Sequence, residues 1–333
     1  MKVLITGGAG TIGSHLADRL LAEGYHIIVL DNLSTGRREN IAHNLAHPRF
    51  EWVEGDVRNA PLVAELVARC DAVFHLAAVV GVANVVRDPL ACIQVNVEGT
   101  QSVLAAAFAH RRRVTFASSS EVYGKSFHVP FREQDDRTLG PTWTPRWSYA
   151  VSKALDEHLC FAYAARGLEV SVVRYFNSYG PRMDPKGYGS VVARLVTQAL
   201  AGEPLTVYGD GQQTRCFTYI SDTVEGTLRA ATSPNALGQA FNIGSDREIT
   251  VQALAEQIVE LTQSQSSIVR VPLEEAFGAN FEDVTRRRPS IDKARRLLGF
   301  EPAVPLEQGL KETIRWFAER MSPQRRRGRG EGE

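Results

Sequence analysis

A short apolar run, Lys2–Thr6, leads into seven residues that hold four glycines, Gly7-Gly8-Ala9-Gly10-Thr11-Ile12-Gly13. No other feature restricts the fold as much. Glycine is needed where backbone approaches a pyrophosphate and where a helix packs closely on a strand. The turn fits G-x-G-x-x-G from Gly8 and opens onto a helical pattern over 12–23. The amides of such a helix start, with the positive end of its dipole, hold phosphate. A second apolar run, 26–30, ends at Asp31, 18 positions past Gly13, with Asn32 beside it. A carboxylate there accepts from both hydroxyls of an adenosine ribose and repels a 2′-phosphate, which favours NAD over NADP. Arg37 and Arg38 follow closely and leave NADP as the alternative.

The pattern repeats. Runs near 2–6, 26–30, 51–53, 72–76, 113–117 and 169–175 read as strands, and helical periodicity over 12–23, 62–68, 89–109 and 148–165 lies between them. Alternation of this kind predicts an α/β fold, a Rossmann doubly wound parallel sheet with helices on both faces. After Tyr175, Gly and Pro punctuate the chain, and further helices are expected over 251–261, 291–298 and 306–320. The expected organisation is an NAD-binding domain over 1–175, to which some later segments return, and an interwoven, smaller α/β portion over 176–320 that binds substrate. A polar, Arg-rich tail over 321–333 is expected to be disordered.

Composition removes several function classes. The formal net charge is zero, so bulk charge gives no reason to expect nucleic acid or an anionic membrane as partner. The most apolar stretch, 72–86, is broken by His75 and Asn84 and is shorter than the roughly 20 residues that cross a bilayer. The N-terminus has no charged region followed by an apolar one, which predicts a cytoplasmic protein. Cys70, Cys92, Cys160 and Cys216 are far apart and form no C-x-x-C, so reduced thiols are expected rather than disulfides or a metal site.

Two segments hold reactive groups. Tyr149 and Lys153 stand at i and i+4, on one helix face. An ammonium beside a phenol is expected to lower its pKa, which would make Tyr149 a base for a substrate hydroxyl. The run 113–117 ends in Ser118-Ser119-Ser120-Glu121-Val122-Tyr123-Gly124, which places hydroxyls and an acid at a strand's C-terminal end. Sheets of this class bind ligands at those ends. Leu76-Ala77-Ala78 leave room there for a dinucleotide, and Asp56-Val57 fall where an adenine edge would lie.

Together these segments resemble the extended short-chain dehydrogenase/reductases, the NAD-dependent nucleotide-sugar epimerase, dehydratase and decarboxylase family. The resemblance runs from Met1 to the region of Arg320, through GGAGTIG, DNLSTG, GDV, HLAA, SSSEVYG, YxxxK, RYFNSYGPR, PLTVYGDGQQTR and RRRPSI. It implies tightly held NAD, oxidation of C4 of a UDP- or dTDP-sugar, and later re-reduction. It implies that Ser119 shares O4 with Tyr149 and that Lys153 contacts the nicotinamide ribose. Asn177 and Arg215 resemble residues that hold the diphosphate and ribose, and Tyr208 resembles part of a uridine wall. The family also implies a homodimer through a four-helix bundle, here from 101–110 and 155–165, with Leu104, Phe108, Leu159 and Phe161 on apolar faces.

The resemblance separates the reactions incompletely. Ser119-Ser120-Glu121 is similar to the Ser/Thr-Ser-Glu of UDP-glucuronate decarboxylases. Dehydratases carry Asp-Glu at the last two places, and many 4-epimerases carry small neutral residues. Arg287-Arg288-Pro289-Ser290-Ile291 resembles a decarboxylase segment whose first Arg faces the reacting end of the sugar. Arg287 would hold a substrate carboxylate until C4 oxidation makes a β-keto acid. Ser190, however, stands where decarboxylases usually have Arg, and Tyr175 looks more like the epimerases. The leading expectation is a UDP-glucuronate decarboxylase and the alternative a UDP-sugar 4-epimerase, with a 4,6-dehydratase behind them. A non-catalytic NAD-sensing protein is a different class, against which intact Ser119, Tyr149 and Lys153 speak. Trp143 and Trp147 either cover the sugar or anchor their loop, and His75 is read as structural.

Overall fold

The computed structural model describes residues 1–185, 191–278 and 282–321. Ser190 and residues 322–333 of the expected tail lie outside the described residues. Strands β1 (Lys2–Thr6), β2 (His26–Asp31), β3 (Phe50–Glu54), β4 (Ala72–His75), β5 (Arg113–Ser119) and β6 (Val170–Tyr175) are joined through helices α1 (Thr11–Ala22), α2 (Ala60–Ala68), α3 (Val82–Arg87), α4 (Pro89–His110) and α5 (Trp147–Ala164). The later chain adds β7 (Ser178–Tyr179), α6 (Val191–Ala201), β8 (Leu205–Tyr208), β9 (Thr214–Cys216), β10 (Thr218–Tyr219), α7 (Ile220–Thr232) and β11 (Gln239–Ile243). It ends with β12 (Glu248–Thr250), α8 (Val251–Thr262), β13 (Ile268–Val271), α9 (Leu273–Phe277), β14 (Arg286–Arg287), α10 (Asp292–Leu298) and α11 (Leu306–Met321).

The seven-stranded sheet runs β11-β6-β5-β4-β1-β2-β3, with every pair parallel. The sheet is the Rossmann type that the alternation predicts. Side chains alternate between two cores. Val3, Ile5, Ile27 and Val29 meet Leu16 and Leu20 of α1 and Val224 and Leu228 of α7. Leu4, Ile28 and Leu30 meet Val63 and Leu66 of α2 and Val103 and Leu104 of α4. Both faces are covered, so these strands read as unbroken apolar runs rather than as alternating ones. The order reverses between β1 and β4, and a crevice opens at the C-terminal ends there.

Local signals set the helix starts. Asn59 and Asp88 accept from the amides of Leu62 and Ala91, capping α2 and α4, each with proline in the first turn. The start of α1 has no side-chain cap, because Gly10 occupies that place. Its first amides therefore face the crevice as open donors.

The later chain divides its elements. Helix α7 packs on α1, and β11 pairs with β6 at the sheet's edge. A separate core gathers Val192, Leu195 and Val196 of α6, Leu254 and Ile258 of α8, and Leu310 and Phe317 of α11 around Leu205 and Val207 of β8. Small sheets β12-β9-β14 and β13-β8 stand beside it.

Three details depart from the sequence reading. Strand β5 runs on through Ser119, and Ser120–Tyr123 then form a single 3-10 turn. The apolar stretch 72–86 divides into β4 and α3, because the chain must leave the sheet at the switch point. Leu104, expected on a face for a partner, lies wholly within the α2–α4–sheet core.

Candidate active site

A cleft of about 540 Å³ opens at the C-terminal ends of the sheet strands and runs into the later portion. Gly7, Gly10, Thr11, Ile12 and Gly13 line it, as do Asp31, Asn32, Val57 and Leu76-Ala77-Ala78. So do Ser119, Ser120, Glu121, Tyr149, Lys153, Asn177, Tyr208, Arg215 and Arg287. Residues up to 280 positions apart in sequence, Gly7 and Arg287 at the extremes, thus share one wall system.

Asp56 is the exception among the expected residues. It does not line the cleft. Three hydrogen bonds from Arg58, two from its side chain (2.7 and 3.0 Å) and one from its amide (2.9 Å), and one from Asn32 (3.1 Å) hold its carboxylate, and the Arg58 side-chain bonds above all bring its pKa to about 2. A nearby cation competes for it more closely than the sequence spacing suggests.

The glycine turn is shaped for close approach. Gly7 has φ +71°, and a Cβ there would stand 2.7 Å from the Ala77 amide nitrogen. A Cβ on Gly13 would stand 2.4 Å from the Gly7 carbonyl oxygen. Asp31 accepts from Ala9 N–H at one oxygen and from Leu33 N–H at the other, both at 2.9 Å. Each oxygen keeps a second lone pair for a ribose hydroxyl. Burial raises the Asp31 carboxyl, and the two amides oppose it. Open helix amides, a glycine cradle and a ribose-facing carboxylate fit an NAD dinucleotide. Arg37, weighed as a partner for a 2′-phosphate, instead pairs with Asp184.

Ser119 ends β5, and its Oγ accepts from Glu121 N–H at 3.2 Å. Tyr149 lies in the first turn of α5. Burial raises its phenol well above the ordinary value, and the Ser119 hydroxyl beside it opposes that rise. Lys153 does not lower Tyr149 as expected. Its ammonium lies 3.8 Å from Asp156 Oδ2 and 4.5 Å from the centre of the Phe116 ring. Burial outweighs a cation that is already paired elsewhere.

A compact charge cluster fills the far end of the cleft. Glu121 Oε1 meets Arg287 Nη1 at 2.7 Å, and Glu121 Oε2 meets Arg146 Nη2 at 3.5 Å. Arg146 also reaches Asp283 at 3.5 Å, and Arg215 reaches Asp283 at 3.1 Å. Burial alone would raise Glu121, but Arg287 and then Arg146 override it and bring it to about 2. Burial lowers the Arg215 guanidinium to about 10. Glu121 is therefore a fixed carboxylate near neutral pH and not a proton donor. Arg287 is placed by a backbone ladder, since β14 pairs with β9 and Arg287 stands opposite Arg215.

Beneath this cluster runs a buried polar chain that the motifs do not announce. Ser118 donates to Glu157 at 2.5 Å, and Arg174 clamps Glu157 with bonds of 2.9 and 2.7 Å. Arg174 also donates to the Tyr123 hydroxyl, which donates to Asn242, both at 2.7 Å. Asn242 then donates to the carbonyls of Phe131 and Ser290. This ties the β5 end to the segment that follows Arg287. Asn177 donates to the Cys216 carbonyl at 3.1 Å, and Tyr208 carries the Arg194 guanidinium 4.1 Å above its ring. Trp147 is buried and donates to Glu282 at 2.9 Å, so it anchors its loop, while Trp143 is 82% exposed. His75 is enclosed between the Thr6 and Thr100 hydroxyls at 2.7 and 3.1 Å, and burial lowers it to about 3.

Sheet, glycine turn and the Ser119/Tyr149/Lys153 set define a short-chain dehydrogenase/reductase of the extended type. Residues 3–244 match the family described as "NAD dependent epimerase/dehydratase family". A UDP-N-acetyl-alpha-D-glucosaminuronate decarboxylase from Bacillus cytotoxicus is 45% identical over 318 residues, 96% of this chain and 98% of that protein. UDP-glucuronic acid decarboxylase 1 of Danio rerio is 39% identical over 324 residues, 97% of this chain and 74% of that protein. The crystal structure of UDP-glucose 4-epimerase from Thermotoga maritima with UDP-glucose superposes with a TM-score of 0.87 at 33% identity, covering 97% of this chain and all of that one. The chain belongs to the NAD-dependent epimerase/dehydratase family. No helix among the described residues is long and apolar enough to cross a membrane.

Proposed function

We propose that this protein decarboxylates a UDP-uronate, UDP-glucuronate or its 2-acetamido counterpart, through transient oxidation at C4. The observation that supports this most is the Glu121–Arg287 pair at 2.7 Å inside the cleft. Glu121 meets Arg287 through Nη1, and the planar fork carries further N–H groups that can meet a second carboxylate, that of the sugar.

The glycine turn, Asp31, Asn32 and the Leu76–Ala78 wall hold NAD, with Lys153 and Tyr149 at the nicotinamide end. Bound NAD supplies the hydride acceptor, and later the donor, at the sugar carbon. The Tyr149 phenol, raised by burial and lowered again beside the positive nicotinamide ring of bound NAD, takes the O4 proton as general base, and Ser119 hydrogen-bonds the same oxygen. With a ketone at C4, the uronate is a β-keto acid. Its C5–C6 bond breaks, CO2 leaves, and the electron pair moves to the C4 oxygen, where Tyr149 and Ser119 stabilise it. Arg287 orients the carboxylate before that step. Glu121 and Ser120 shape the end of the pocket, Glu121 by fixing the Arg287 fork. Asn177, Tyr208 and Arg215, in the portion over 176–320, hold the UDP moiety.

A UDP-sugar 4-epimerase is the second reading, and the small, neutral Ser120 beside Ser119 favours it by leaving room for a keto-sugar to turn. The deciding experiment is mass spectrometry of the purified protein with NAD and UDP-glucuronate, UDP-N-acetylglucosaminuronate, UDP-glucose or UDP-N-acetylglucosamine, with NMR of any product. Loss of CO2 from a uronate supports the proposal. Unchanged mass with inverted C4 overturns it in favour of epimerisation.

A cytosolic homodimer completes the reading. Leu90, Ile93 and Phe108 of α4 and Val151 and Leu155 of α5 are exposed, and these helices pack against each other. A second copy adds the other two helices of a bundle, and light scattering that gives one protomer mass would exclude it. The four buried, unpaired cysteines suit a reducing compartment.

A further inference from the structure

Asp156 stands near the reacting centre, and the mechanism gives it no role. It stands three residues after Lys153 on α5, on the same helix face, and is fully buried. It does not line the cleft, whereas Lys153 does. Its nearest cation is the Lys153 ammonium, 3.8 Å from Oδ2. Thr100 and Lys153 are donors close to its carboxylate, but among the described residues neither oxygen receives a hydrogen bond of good geometry. A carboxylate so buried and so poorly bonded is costly, and a fold keeps one where a cation needs it.

We propose that Asp156 is a positioning residue: a counter-charge behind the cleft that keeps the buried Lys153 side chain charged and drawn to one place. The proposal rests on the reading of Lys153 as part of the reacting centre. Without Asp156, Lys153 is a lone buried ammonium, and burial already lowers its pKa while Asp156 opposes that.

The surroundings leave Asp156 as the group that titrates. On α5, Glu157 is clamped by Arg174 and Ser118, and Cys160 is raised far above its ordinary range by burial. On α4, Cys92 is likewise raised by burial, and Thr100 offers a hydroxyl that His75 also shares. His75, on β4, is lowered to about 3. Burial raises Asp156 itself to about 7, with Lys153 opposing. Below that pH the counter-charge is neutralised, so kcat falls on the acid side with a midpoint near neutrality.

The test has two arms. In wild-type protein labelled with 13C at aspartate Cγ, one carboxyl titrates near pH 7, and Asp156→Asn lacks that signal. This arm needs neither substrate nor turnover, so it stands even if the substrate proposal fails. A spectrum in which no signal missing from Asp156→Asn titrates above the ordinary value of roughly 4 overturns the proposal. In the second arm, Asp156→Asn lowers kcat by up to about 100-fold, the effect of roughly an ångström of misplacement. KM stays within about threefold, the neutral limb of the pH profile disappears, and Asp156→Glu restores it. An unchanged profile in Asp156→Asn overturns the proposal. If Asp156→Asn does not fold, Asp156→Glu and the wild-type titration decide.

Discussion

Glu121→Gln removes one charge from the most crowded part of the cleft. The side chain is 15% exposed and lies between Arg287 at 2.7 Å and Arg146 at 3.5 Å. The folded protein holds its carboxyl at about 2, against an ordinary 4.5. Each pH unit between the two values is worth 1.36 kcal/mol, so ionised Glu121 contributes about 3 kcal/mol to the fold. The sign follows from the lowered pKa. The contribution is complete at pH 7, fades below 4.5 and is lost as the pH falls through 2. The glutamine variant therefore loses about 3 kcal/mol at pH 7 and less at pH 3, where the wild type has lost part of its own advantage. Chemical unfolding of both proteins at pH 7 and pH 3 measures this. The same variant turns over UDP-uronate more slowly, because Arg287 loses the partner that fixes its fork. A variant within about 0.5 kcal/mol of wild type at pH 7, the scatter of ordinary surface substitutions, would refute the reasoning.

Other perturbations test separate parts of the site. Tyr149→Phe keeps its NAD content and loses about 100- to 10,000-fold in kcat, read by the mass assay. Gly13→Ala pushes a methyl to within 2.4 Å of the Gly7 carbonyl and 2.7 Å of Gly8 Cα, so the protein purifies with little NAD, read by nucleotide release on denaturation. Arg287→Lys keeps the charge but loses the fork, and KM for the uronate rises roughly tenfold or more while NAD content is unchanged.

The first half of the chain was legible because both faces of its sheet are covered. Leu4 and Ile5 point to opposite cores, so β1 is apolar throughout and the glycine turn after it is plain. Helix α7 and strand β11 were not legible. Gly226 interrupts α7, and it is there because a Cβ would stand 2.4 Å from Ile243 of β11. β11 itself is five residues long and finds its partner β6 far back in sequence. Helix α6 is amphipathic, but it follows a stretch rich in Gly and Pro that reads as loop. In the site, Ser119, Tyr149 and Lys153 stand in motifs with fixed spacing. Arg146 and Asp283 do not, because each comes from an irregular segment and acquires a role only where β14 meets β9. The Tyr149 phenol shows the limit of spacing: i and i+4 put Lys153 on the right face, but burial of the phenol, which spacing does not reveal, outweighs that cation, and Lys153 is paired with Asp156.

The ladder between β9 and β14 is two residues long, Arg286 opposite Thr214 and Arg287 opposite Arg215. Alternation along a strand makes Arg287 9% exposed and Arg286 52% exposed. A one-residue change in the length of the segment before β14 exchanges the two and replaces one inward guanidinium geometry with another. The hydroxyl, phenol and ammonium sit on β5 and α5, elements that such a change does not touch. Substrate preference in this architecture is thus separable from reactivity, and a lineage of such chains can diversify its sugars by altering loop lengths while its chemistry is inherited intact.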